Sequence, residues 1–239
     1  MENWKNPLKS PLIVALDVDD DHRALQLADE LHDLVGAFKL GPRLVQRYGS
    51  SLSLALAQRA PLFIDCKFFD IPSTMEAAIR ASFAVGATLA TVHALAGREA
   101  LATVARVEKE LNQERPFKVL AVTILTSWDQ NSLPKNFQPL SIADHVKDLG
   151  QMAVGEGLTG LVCSPEELSI FSEQGLFLVT PGIRFDSATN KDDQKRTVGP
   201  REALRRGASA LVVGRPIVQA PNPRVAAMDC SVAMWGVKS

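Results

Sequence analysis

Short apolar runs alternate along the chain with longer segments in which apolar residues recur every three to four positions. The runs read as buried strands and the periodic segments as amphipathic helices. Leu12 to Leu16 is the first run and closes on Asp17. His22 to Leu34 follows with helical spacing. Ala37 to Gly41 is the second run, and Pro42 opens a helix continuing through Leu52 to Gln58. Leu62 to Ile64 is the third run, and a helix from Ser73 or Thr74 to about Val85 comes next. Leu89 to His93 precedes a helix over about Arg98 to Leu111. Val119 to Leu125 gives way to a polar loop, Thr126 to Pro139, and a loop that long in a compact domain is more often functional than not. A helix then covers Ala143 to Glu156. Gly160 to Cys163 is followed by a helix opened by Pro165, and Phe177 to Thr180 by a second long polar loop, Phe185 to Thr197. Pro200 opens a helix to Arg206, Ala210 to Gly214 is the eighth run, and Pro223 to Trp235 forms the last helix.

Eight strand–helix units predict a closed parallel (β/α)8 barrel, a TIM barrel of the α/β class, for which ~250 residues is usual. An open doubly wound sheet is the runner-up. No GxGxxG follows the first run, which counts against a dinucleotide-binding version. No repeat, linker or shift in composition divides the sequence, so residues 1–239 are expected to form one domain.

Bulk properties narrow the function. The 239 residues are 46% hydrophobic and 22% charged, values of a globular chain with ample core. A formal net charge of -1 and the lack of a long basic run disfavour nucleic acid as partner. No apolar run approaches the ~18 residues of a membrane span, and the N-terminus lacks a signal-peptide core, so a cytoplasmic protein is expected. Cys66, Cys163 and Cys230 form no CxxC pair or metal spacing and read as reduced thiols.

A barrel of this kind gathers the C-terminal ends of its strands at one rim, where active sites lie. Those ends carry Asp17, Lys39, Asp65, Lys67, Asp70, His93, Thr126, Ser127, Arg184, Gly214 and Arg215. Asp65 and Lys67 are two residues apart, which in an extended strand places them on one face. A structural salt bridge at a strand end is the alternative reading. The carboxylates alternate with Lys39 and Lys67, which repel a cation, so a metal-free site is expected. A lysine between aspartates stays protonated and is an acid able to give up a proton, not a free amine for Schiff-base chemistry. His93 is expected to make a structural hydrogen bond, since no nucleophile is paired with it. Thr180 to Arg184 and Val213 to Ile217 follow the last two runs. A glycine, a helix start and guanidinium groups there suit a phosphate. Gln194, in the same long loop, has the chemistry of a further neutral donor, although by itself it reads as a solvated loop residue. An ordinary turn with a surface arginine is the alternative.

The stretch Asp65-Cys66-Lys67-Phe68-Phe69-Asp70-Ile71-Pro72-Ser73-Thr74 resembles the DxKxxDIPxT signature of the orotidine 5′-phosphate decarboxylase family. The resemblance spans nearly the whole chain. It includes Ala15 to Asp17, Phe38 to Gly41, Thr91 to Ala94, Leu125 to Ser127, Thr180 to Arg184, Asp193 to Arg196 and Val213 to Ile217. Departures are Cys66 in place of a commoner aliphatic residue, Phe69 where His is frequent and Ser73 where Asn is frequent. None of them removes a charge.

The resemblance implies a lyase that converts orotidine 5′-monophosphate to UMP and CO₂, the last step of pyrimidine synthesis de novo, without a cofactor. It implies Lys67 as proton donor to C6, Asp65 beside the departing carboxylate, and Lys39 and Asp70 completing an alternating charge network. Asp17, Lys39 and Thr74 are implied at the ribose, and Thr126 and Ser127 at the pyrimidine. Arg184, Gln194, Gly214 and Arg215 are implied at the phosphate. Ile71 and Pro181 belong to the same substrate-contact set. A homodimer is implied, with Asp70 and Thr74 reaching the neighbouring subunit's site, and the 185–197 loop is the lid candidate. The competing readings are a metal-dependent sugar-phosphate decarboxylase of the same superfamily and a catalytically silent phosphate-binding barrel.

Overall fold

The computed structural model describes residues 5–137, 139–183 and 198–235. Its strands are β1 (Leu12–Ala15), β2 (Ala37–Leu40), β3 (Leu62–Phe68), β4 (Ala87–His93), β5 (Lys118–Val122), β6 (Gly160–Val162), β7 (Phe177–Thr180) and β8 (Ala210–Val213). Each pairs in parallel with the next, and β8 closes on β1, so the sheet is a closed barrel in sequence order. Closure leaves no unpaired sheet edge.

The helices are α1 (Asp21–Leu31), α2 (Pro42–Ala57), α3 (Pro72–Ala84), α4 (Arg98–Leu111), α5 (Ile142–Gly155), α6 (Pro200–Arg205), α7 (Arg215–Val218) and α8 (Pro223–Trp235). Local chemistry explains where they start. Asp20 caps α1 by accepting the Arg23 N–H, and Ser141 with Asp144 forms a reciprocal capping box on α5. Pro42, Pro72 and Pro200 occupy first-turn positions, where the missing N–H has no partner to lose.

The core has two layers. Alternate strand residues such as Leu12, Val14, Phe38, Leu62 and Ile64 face outward and pack beneath the helices. The intervening residues Ile13, Ala37, Phe63, Leu89, Leu120, Val179 and Ala210 fill the barrel interior. The inner faces become polar toward the strand ends: Ala37 is followed by Lys39, Phe63 by Asp65, and Leu89 by Thr91 and His93. That change of polarity leads directly to the site.

Three local expectations are corrected. The helix expected from Pro165 is a turn ending in a short 3-10 segment, Leu168–Ile170. There the buried Glu167 carboxylate takes both the Ser164 hydroxyl and the Ser164 N–H, and Ser164 Oγ accepts the Glu166 N–H. These are the bonds of a helix N-cap, and the turn they open closes into that 3-10 segment. Helix α2 is kinked at Gly49, whose φ of 54° suits a residue without Cβ. Strand β5 ends at Val122 rather than Leu125. Among the described residues, no helix is long and apolar enough to cross a membrane.

Candidate active site

A cavity of about 280 Å³ opens at the C-terminal ends of the strands. Its floor is apolar, formed by Phe63, Val122, Val162, Val179 and Val212. Its walls carry the charges expected from the sequence. Asp17 follows β1, Lys39 lies on β2, Asp65 and Lys67 on β3, and Gly214 and Arg215 follow β8.

The charged groups form a chain. Lys39 Nζ lies 3.6 Å from Asp17 Oδ1 and 3.2 Å from Asp65 Oδ2. Lys67 Nζ lies 2.8 Å from Asp65 Oδ1. Signs therefore alternate along Asp17–Lys39–Asp65–Lys67. The Asp65 side chain is only 13% exposed, whereas that of Lys67 is 36% exposed and reaches the cavity. Burial pushes the Asp65 carboxyl up, but Lys39 and Lys67 together outweigh it and hold the group below its ordinary 3.8. The carboxylate is thus ionised at neutral pH and bound on both oxygens.

The extended backbone expected between Asp65 and Lys67 is not what forms. Lys67 has φ of 47°, and among the described residues it is the one non-glycine with positive φ. The cause lies in the pairing of β3 with β4. Ile64 pairs with Ala90 and the next pair is Phe68 with Val92, so β3 uses four residues where β4 uses two. Such a bulge re-aims a side chain. The Lys67 N–H leaves the ladder and is taken by Thr91 Oγ1 at 2.8 Å. Thr91, which sequence reading left without a role, also donates to Asp65 Oδ1 at 3.1 Å. Strand parity was its signal, because it follows the inward-facing Leu89 by two positions.

His93 is half-buried, and its Nδ1 accepts the Leu95 N–H at 3.3 Å. Burial and the nearby Lys67 charge push its pKa below the ordinary value, so the ring is neutral at pH 7. Its ring lies 5.9 Å from that of Phe69. Burial, aided by the Asp65 charge, pushes the Cys66 thiol up.

Thr126 and Pro181 line the cavity with the charged groups. Ser127 is exposed and lies outside the lining. Asp70, Ile71 and Thr74 are also exposed and outside the lining, at the start of α3. Asp70 Oδ1 accepts the Ile71 N–H at 2.7 Å. Within one chain, then, the alternating network ends on Asp17 and not on Asp70. Arg184, Gln194 and the 185–197 lid candidate lie outside the described residues. Gly214 faces the same rim as Asp17: a Cβ built on it would sit 3.5 Å from Asp17 Oδ2. Arg215 opens α7 immediately after it.

Comparison with known proteins identifies the family and agrees with the barrel fold. Residues 10–230 match the family described as orotidine 5′-phosphate decarboxylase / HUMPS. An orotidine 5′-phosphate decarboxylase of Parasynechococcus marenigrum is 40% identical over 233 residues, covering 94% of each chain. One from Dictyoglomus turgidum is 36% identical over 222 residues, covering 89% of this chain and 90% of its own. The crystal structure of orotidine 5′-phosphate decarboxylase from Lactobacillus acidophilus superposes with a TM-score of 0.80 at 31% identity, covering 95% of this chain and all of that one. By the span of the family match and by these full-length relatives, the chain belongs to the orotidine 5′-phosphate decarboxylase / HUMPS family.

Proposed function

We propose that the chain decarboxylates orotidine 5′-monophosphate to UMP and CO₂ without a cofactor, in the synthesis of pyrimidine nucleotides. The observation that carries this reading is the Asp17–Lys39–Asp65–Lys67 chain on the wall of a cavity with an apolar floor. The named activity of the full-length relatives supports it.

The chemistry follows from the charges. Breaking the C6–carboxylate bond leaves the electron pair on C6, where no neighbouring group accepts it. The Lys67 ammonium stands on the cavity wall and stabilises that developing anion as the bond lengthens. It then gives a proton to C6, yielding UMP and a neutral amine that solvent reprotonates. Asp65 holds Lys67 by a 2.8 Å ion pair and lies beside the departing carboxylate. Because Lys39 binds the other Asp65 oxygen, the aspartate stays ionised and the ammonium keeps its position.

The rest of the molecule binds and orients the nucleotide. Asp17 and Lys39 take the ribose hydroxyls, and Thr126 takes the pyrimidine edge, joined by Ser127. Gly214 and Arg215 hold the phosphate, together with Arg184 and Gln194. Binding energy from that remote phosphate is available to the chemical step. The apolar floor meets the flat pyrimidine face. Asp70, Ile71 and Thr74, exposed in one chain, complete the site of a second subunit in a homodimer.

The test is direct. Purified protein in excess EDTA should convert orotidine 5′-monophosphate stoichiometrically to UMP and CO₂, followed by the loss of substrate absorbance. Unchanged substrate under those conditions refutes the assignment.

A further inference from the structure

Thr91 lies on the inward face of β4 and is fully buried. Its single hydroxyl makes two bonds. The oxygen accepts the Lys67 backbone N–H at 2.8 Å, and the proton goes to Asp65 Oδ1 at 3.1 Å. The same Asp65 oxygen receives Lys67 Nζ at 2.8 Å. Backbone N–H, hydroxyl, carboxylate and ammonium therefore close a ring, in which Lys67 is held to Asp65 at both ends of its own length.

The bulge in β3 makes that ring necessary. Two extra residues between Ile64 and Phe68 take the Lys67 N–H out of the ladder with β4. A backbone N–H inside a barrel without an acceptor is costly, and a left-handed φ is unfavourable for a residue with a side chain. Such a conformation persists only where its surroundings over-determine it. The Thr91 hydroxyl is the group that does so at the Lys67 backbone. Valine would fill the same space and suit a strand equally well, so packing and strand propensity do not account for the hydroxyl.

We propose that Thr91 is a positioning residue for the decarboxylation. Its hydroxyl fixes the left-handed Lys67 backbone and Asp65 Oδ1 as one unit, and so sets where the proton-bearing Nζ points in the cavity. It does not touch the substrate. Its action is through Lys67, so the proposal rests on the reading of Lys67 as proton donor. A small displacement of a donor from its line of approach has a large effect on rate, because orientation is part of the barrier.

The experiment compares wild type with Thr91→Val, Thr91→Ala and Thr91→Ser. It reads kcat and KM for orotidine 5′-monophosphate, the Kd for UMP, and the fraction folded. Thr91→Val should lower kcat roughly ten- to a hundredfold, the range for losing a hydrogen bond to charged and backbone partners. KM and UMP affinity should stay within about threefold of wild type, since the lost interaction is not with substrate. Thr91→Ser should recover kcat to within about threefold, because its hydroxyl can make both bonds. Thr91→Ala should match Thr91→Val in kcat and serves if valine disturbs the barrel. Near-normal kcat in the valine variant, equal impairment in the serine variant, or a loss confined to KM each overturns the proposal. So does failure of both hydroxyl-free variants to fold while the serine variant folds, which makes Thr91 a folding residue. An inert wild type overturns the functional reading itself, and this proposal with it.

Discussion

Lys67 Nζ meets Asp65 Oδ1 at 2.8 Å across a bulge, with the Lys67 backbone at φ 47°, and not along an extended strand. The bulge separates two demands that a regular strand would set against each other. Asp65 stays low on the wall, 13% exposed and bound by both lysines, while Lys67 reaches the cavity. The aspartate is fixed and the ammonium faces the space where a substrate would lie.

Replacing that ammonium should therefore abolish turnover and spare binding. For Lys67→Ala we expect kcat to fall by at least about a thousandfold, since general acid and electrostatic contributions are lost together. The affinity for UMP should change little, because Asp17, Lys39, Gly214 and Arg215, the groups proposed for ribose and phosphate, come from other strands. Steady-state kinetics with a UMP titration checks this. Near-normal turnover in the variant would remove Lys67 from the role of proton donor.

Acid behaviour should report the environment of Asp65. Its carboxyl is held below 3.8 because Lys39 and Lys67 outweigh burial. A carboxylate lowered in the folded state stabilises fully above its unfolded value, and that stability is lost as pH falls through the folded value. In wild type this loss lies below pH 3.8. Lys39→Met removes one cation and leaves the burial, so the folded pKa rises. The acid-unfolding midpoint, followed by circular dichroism, should move to higher pH than in wild type. An unmoved midpoint would show that Lys39 does not hold the charge on Asp65.

The sequence made most of the barrel legible, because its two signals are local. Short apolar runs marked all eight strands, and helix α4 over Arg98–Leu111 followed from apolar spacing alone. The charged residues that line the cavity were legible for the same reason: they follow apolar runs, and closure of the barrel brings that side of the strands together. The geometry of Lys67 was not legible, because a bulge is set by the register between two strands and not by the residues of one. Thr91 was missed for a related reason. A threonine in a strand reads as ordinary strand composition until its neighbour's N–H is known to lack a ladder partner. Pro165 marked a capped turn behind Ser164, but a start signal does not say where an element stops, and here it stops at the short 3-10 segment Leu168–Ile170.

A shared site can be tested by mixing two defective chains. Asp70 lies outside the cavity of its own chain, whereas Lys67 lines it. If Asp70 serves the partner subunit, Asp70→Ala and Lys67→Ala each spoil both sites of their own dimers. A dimer of one chain of each kind keeps one site with both residues native. Co-refolding equal amounts should therefore restore roughly a quarter of wild-type activity, the share of intact sites under random pairing in a twofold dimer. No recovery in the mixture, with dimers verified by sedimentation, would place Asp70 outside the partner's site.

The buried pair at the opposite end of the barrel should govern stability and not turnover. Lys118 begins β5 and its Nζ lies 2.8 Å from Glu108 Oε1 on α4, with both side chains below 10% exposure. Glu108 Oε2 also accepts the Val119 N–H at 2.7 Å. Lys118→Met would strand the carboxylate, and breaking a buried pair from one side costs about 3–5 kcal/mol. Adding Glu108→Gln should recover part of the loss, since the amide oxygen still accepts from Val119 and no charge is left buried. Burial already pushes the Glu108 carboxyl above its ordinary 4.5, and loss of Lys118 pushes it further. A carboxyl raised in the folded state costs stability while it is ionised, and the cost fades as pH falls through the raised value. The Lys118→Met defect should thus be largest well above pH 4.5 and shrink as pH falls toward that value, as read by urea unfolding. The kcat of the folded fraction should match wild type at pH 7, because the pair lies at the strand's first residue and the cavity begins at its last, Val122. A defect independent of pH would mean that Glu108 is not the group left uncompensated.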